Sequence, residues 1–167
     1  DSQAFHQVAA ALPPDQPLTS FSILFARKKG DLAQFIRGLQ HMHAVPPDGR
    51  VLVLESCSHH RQADDIGTVK IPRLFRAHVQ PEVEFSFARS LPPEDEVRSY
   101  DLIIHCAACM NTRRFVTARL AQFERLGIPV TNYGLFLGWV NGLIPRALEP
   151  LHVQAAGAAG AEPNPPE

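Results

Sequence analysis

The 167-residue chain is 45% hydrophobic and 20% charged with a formal net charge of -1, which suits one well-buried domain. So even a charge balance leaves no electrostatic footprint for nucleic acid or an anionic membrane, both of which call for a strongly basic surface. Three cysteines, an odd number, argue against a disulfide framework and for a reducing, cytoplasmic compartment. The most apolar stretch, residues 135–148, is shorter than the ~20 residues that span a bilayer and is interrupted by Asn141 and Pro145, so it reads as core. The chain opens at Asp1 with no targeting pattern, and a piece of a longer polypeptide is expected.

Asp1 or Ser2 can cap a short helix that runs to Leu12, where Pro13-Pro14 stops it; residues 1–17 read as the tail of a preceding domain. Residues 19–26 alternate with Phe21, Ile23 and Phe25 on one side, predicting a strand. Gly30-Asp31 then opens a helix with Leu32, Phe35, Ile36 and Leu39 at helical spacing. The turn Pro46-Pro47-Asp48-Gly49 leads into residues 51–54, an apolar run that predicts a strand covered on both faces. Pro72 suits the first turn of a helix ending near His78, and Val83, Phe85 and Phe87 alternate with polar residues as in an edge strand. Residues 102–104 form the next buried strand. A helix starting at Asn111-Thr112 buries Val116, Leu120, Phe123 and Leu126 and closes at Gly127. Residues 128–130 predict a further strand that finishes in Thr131-Asn132-Tyr133-Gly134, followed by a buried helix broken near Gly142 and restarted at Pro145. From Val153 the chain is Ala, Gly and Pro without periodicity, and residues 153–167 are expected to be disordered.

The alternation of strand and helix predicts an α/β fold, a mostly parallel, Rossmann-like sheet with helices on both faces, in which ligands bind beyond the carboxyl ends of the strands. At that end lie Glu55-Ser56-Cys57-Ser58-His59-His60 and His105-Cys106-Ala107-Ala108-Cys109-Met110, which contain all three cysteines. Thiolates and imidazoles bind soft and borderline metals. Cys106 and Cys109 are spaced to face one centre, Cys57 adds a third thiolate, and His59 can point to the same side in an extended loop. Three thiolates leave one iron of a four-iron cluster without a cysteine, an exchangeable position that suits a carrier better than an electron-transfer protein. A structural Cys3His zinc site and a CxxC thiol redox module remain the alternatives.

His105 precedes Cys106 on the strand and by alternation reads as a hydrogen-bonded core histidine. His60 is open between ligand, supporting donor and loop residue. Asp64 and Asp65 read as turn and capping residues, or as carboxylates orienting an imidazole. Lys70, Arg113 and Arg114 are solvated charges or an anion-attracting rim. Neither a GxxxxGK[ST] phosphate loop nor a GxGxxG fingerprint occurs, so no GTP chemistry and no catalytic constellation are expected from this chain.

The ordered set Asp1 to Phe5, Leu18 to Arg27, Cys57-Ser58-His59-His60, Asp64-Asp65-Ile66-Gly67, Lys70-Ile71-Pro72, His105-Cys106 with Cys109-Met110, and Thr131-Asn132-Tyr133-Gly134 resembles the HydF family. These are the GTPases that mature the H-cluster of [FeFe]-hydrogenases. The resemblance covers the chain to about Leu151 and implies residues 18–152 as the C-terminal cluster-binding domain, after a remnant of the dimerisation domain. The GTP- and Mg-binding domain would lie elsewhere in the parent protein. By resemblance Cys57, Cys106 and Cys109 carry a [4Fe-4S] cluster, with His59 the candidate exchangeable fourth ligand. His60, Asp64, Asp65, Lys70, Arg113, Asn132 and Tyr133 are candidates for supporting the centre or docking a diiron precursor. The implied partners are apo-[FeFe]-hydrogenase, the radical-SAM maturases and, in the full-length protein, a second copy. Ala107-Ala108 stands where the family commonly has two glycines, and alanine fits only if neither residue requires positive φ.

Overall fold

The computed structural model describes residues 2–56 and 65–151. The expected disorder of residues 153–167 and the loop residues Cys57, His59, His60 and Asp64 lie outside the described residues.

Four strands form one all-parallel sheet: β1 (Arg50–Leu54), β2 (Glu84–Ala88), β3 (Leu102–His105) and β4 (Val130–Asn132), in spatial order β2-β1-β3-β4. The two central strands are the continuous apolar runs; Val51 to Leu54 and Leu102 to Ile104 are all almost wholly buried, as strands covered on both faces must be. β2 lies at an edge as its alternation predicts, with Phe87 exposed and Phe85 edge-on to Phe75 at 5.6 Å.

Helix α4 (Ile71–His78), with Pro72 in its first turn, connects β1 to β2, and α6 (Arg113–Leu126) connects β3 to β4. These crossovers run in opposite directions along the sheet, so right-handed connections put the two helices on opposite faces. The short α5 (Glu94–Val97) lies on the return from β2 to β3 and pairs through Glu94 with Arg125 near the end of α6. Thr112 caps α6 by accepting from the Phe115 amide, and Gly127 closes it at φ 71°. Asn132 caps α7 (Tyr133–Val140) in the same way, its side-chain oxygen 2.9 Å from the Leu135 amide.

Residues 19–26 are not a strand. Past α1 (Ser2–Ala11), Ser20 caps a helix, α2 (Phe21–Lys29), in which Ile23 and Ala26 are buried while Phe21 is 74% exposed. The alternation of Phe21, Ile23 and Phe25 coincides with helical pairing, since Phe21 and Phe25 are four apart and their tilted rings pack with centroids 4.6 Å apart. A turn at Gly30 leads into α3 (Leu32–His41), capped by Asp31 and packed against β4.

That packing depends on Gly38. A Cβ there would fall 2.0 Å from the Val130 carbonyl oxygen, and backbone cannot yield as a flexible side chain can. Gly38→Ala is expected to destabilise the domain by about 3 kcal/mol through overpacking. In α7 a Cβ on Gly138 would meet only Ile144 side-chain carbons at 3.8 and 3.9 Å, so Gly138→Ala is expected to stabilise by roughly 0.5–1 kcal/mol. Urea midpoints of the two variants, moving in opposite directions, check both.

Candidate metal centre

β1 and β3 pair so that Leu54 lies opposite His105, and the next residues of both strands meet at the carboxyl edge of the sheet. The Cys106 amide donates to the Leu54 carbonyl at 2.9 Å, and the Ser56 amide donates to Cys106 Sγ at 3.1 Å. An amide hydrogen bond to sulfur favours the thiolate over the thiol. Cys106 is buried and Cys109 is exposed.

After Cys106 the chain turns, with the Asn111 amide bonded to the Ala108 carbonyl at 2.9 Å and Cys109 and Met110 at the tip. Cys109 therefore precedes α6, which starts at Arg113. Ala108 adopts φ 49°, so this position does require the left-handed backbone in which alanine is strained by roughly 1–2 kcal/mol. Ala108 is also fully buried, and burial of its methyl group, worth about 0.8 kcal/mol, offsets part of that strain. Lys29, at the end of α2, donates to the carbonyls of Cys109 and Asn111 and anchors the turn from the other side.

His105 is almost wholly buried and hydrogen-bonded, the core histidine that alternation predicts. Its Nδ1 is 2.6 Å from the Cys106 carbonyl, which only accepts, so Nδ1 carries the proton and Nε2 is an acceptor. Arg119 supplies the donor: Nη1 is 3.3 Å from His105 Nε2 and 2.6 Å from Ser56 Oγ, while the guanidinium stacks on Phe115 at 4.5 Å. Burial pushes the His105 pKa down to about 4, with the Arg119 charge acting in the same direction and the Cys106 carbonyl opposing both. Partial burial also lowers the Arg119 pKa, and Cys106 acts against that shift.

The other sequence candidates separate. Asp65 caps a π-turn (Ile66–Lys70), its Oδ2 accepting from the Thr68 amide and hydroxyl at 2.8 Å each. Tyr133 reaches the same turn, and its hydroxyl leaves no room for a side chain at Gly67, where a Cβ would be 2.5 Å away. Lys70 lines a different cavity of about 620 Å³, shared with Phe5, Phe21, Leu137 and Leu143. Asn132 is buried as the cap of α7, and Arg113 is exposed on the first turn of α6. Among the described residues no group of three potential ligands gathers, and Cys57 and His59 are not among them. Sequence reasoning missed Ser56, Lys29 and Arg119. The signal for Arg119 is faint: it follows Val116 by three and precedes Leu120 by one, at the border of the buried stripe of α6.

The His105 shift carries a stability consequence. Its folded pKa of about 4 lies below the ordinary 6.5, so on acidification the unfolded chain takes up the proton first. The metal-free domain keeps this contribution above pH 6.5 and loses it as pH falls toward 4, at no more than about 1.4 kcal/mol per pH unit. Urea unfolding of the metal-free chain from pH 7 to pH 5 is expected to show the slope, and the His105→Gln variant a flatter one.

Comparison with protein families matches residues 33–150 to the hydrogen maturase F tetramerization domain and residues 1–30 to the hydrogen maturase F dimerization domain. The two matches meet where α2 gives way to α3. No curated protein matches the chain. With its parallel α/β sheet and a tetramerization-domain match across most of its length, the chain belongs to the HydF family of hydrogenase maturases.

Proposed function

We propose that this chain holds a [4Fe-4S] cluster through Cys57, Cys106 and Cys109 and serves as a scaffold in hydrogenase maturation. Its cargo is the diiron precursor of the H-cluster, and the recipient is apo-[FeFe]-hydrogenase. The observation that carries the reading is the contact of the Ser56 amide with Cys106 Sγ at 3.1 Å, because it ties the residue before Cys57 to the second cysteine motif. The donor set fits such a group. A sulfur that accepts an amide hydrogen bond beside a guanidinium is suited to remain a thiolate, and the exposed Cys109 lies at the tip of a turn open to a bulky centre.

When bound, the cluster would supply one iron without a cysteine, where a cargo ligand or His59 can exchange. Around the cysteines the chain's own residues supply the polar contacts, with Arg119 on His105 and Ser56, the Ser56 amide on the Cys106 sulfur and Lys29 on the turn that carries Cys109. Both matched domains are named for assembly, which supports a role as an oligomeric platform and not as a catalyst.

Anaerobic reconstitution with iron and sulfide, followed by metal analysis and visible absorption, tests the reading. A brown protein with about four irons per chain is expected, falling below about one in Cys106→Ala because no spare cysteine replaces it. A colourless protein with a single zinc would overturn the proposal in favour of a structural Cys3His site.

A further inference from the structure

Arg119 is a partly buried cation with no carboxylate partner among the described residues, whose ion pairs are Arg37 with Glu124 and Arg125 with Glu94. Its position on α6 is fixed from three sides: by the Phe115 ring, by Ser56 Oγ and by His105 Nε2. Both polar contacts are to residues that immediately precede a cysteine, Ser56 before Cys57 and His105 before Cys106. The histidine is a neutral acceptor toward Arg119, because its Nδ1 proton goes to the Cys106 carbonyl. One full positive charge is therefore held beside Ser56, whose amide bonds the Cys106 sulfur. Nothing in the amino-acid pattern of either motif includes it.

We propose that Arg119, held against the Ser56 and His105 side chains, fixes a positive charge beside the anionic centre and raises the reduction potential of a cluster held through Cys106. This rests on the cluster-scaffold reading. Three thiolates on a doubly positive four-iron core give a net charge of -1, and uptake of one electron from an external reductant makes it -2. A fixed nearby cation favours the more negative state, and net charge and hydrogen bonding to sulfur are among the factors that set such potentials. A lysine at the same place would keep the charge and lose the flat contact of the guanidinium with Phe115.

The test is a redox titration of the reconstituted chain with dithionite, followed by electron paramagnetic resonance of the reduced cluster. Arg119→Gln keeps a donor for Ser56 and removes the charge; it is expected to load iron like the parent and to titrate at a more negative potential. Arg119→Lys is expected to restore most of the difference. Arg119→Met, which still packs on Phe115, gives the same negative shift without any hydrogen bond and stands in if the glutamine variant does not fold. An unchanged potential in the charge-removing variants would overturn the proposal while leaving the cluster in place. Absence of iron from the parent chain would instead overturn the scaffold reading on which it rests.

Discussion

The parallel pairing of β1 with β3 is the constraint on which the rest of the site depends. Its register puts Leu54 opposite His105, so the backbone that leaves β1 and the backbone that leaves β3 emerge side by side. Cysteine motifs separated by about fifty positions of chain can then share one environment, with the Ser56 amide on the Cys106 sulfur as the visible contact. A slip of one residue would break the pairing that brings the Ser56 amide to the Cys106 sulfur and would turn every side chain of the strand to its other face. Burial of Val51 to Leu54 and Leu102 to Ile104 on both faces makes such a slip costly.

Polar groups so near the core must be satisfied, and the site shows how this is arranged. His105 is neutral, with one nitrogen donating to the Cys106 carbonyl and the other accepting from Arg119. A protonated imidazole here would lose water and face a guanidinium, which is why its pKa falls to about 4. Arg119 keeps its charge there, and its place over the Phe115 ring and its hydrogen bond to Ser56 compensate for lost hydration.

The α2–α3 hairpin links the two family regions physically. Residues 1–30 match the dimerization domain, yet Lys29 from that region donates to the carbonyls of Cys109 and Asn111 in the turn that carries the third cysteine. On the other side of the hairpin, α3 closes on β4 without a side chain at Gly38 to separate them. The candidate centre is thus bounded by the helix that ends one matched region and the sheet that forms the other.

Much of the fold was legible in the amino-acid order, because it depends on local signals that no long-range contact reverses. Apolar runs without alternation mark β1 and β3, Pro72 marks the start of α4, and Thr112 and Gly127 bracket α6. The inward histidine before Cys106 followed from alternation alone. Residues 19–26 misled, since Phe21, Ile23 and Phe25 satisfy a period of two while Ser20, Ile23 and Ala26 satisfy a helix, and only packing of α2 on α6 and α7 decides between them. The left-handed backbone at Ala108 was also hidden, because alanine carries no signal for positive φ. Arg119, Ser56 and Lys29 belong to the site through pairings across 63 and 80 positions of chain, which are set by strand register and helix packing. Sequence by itself determined which residues have the chemistry to hold a metal. The tertiary structure decided which charges surround two of them, because electrostatic neighbours are a property of distance in space and not of spacing along the chain.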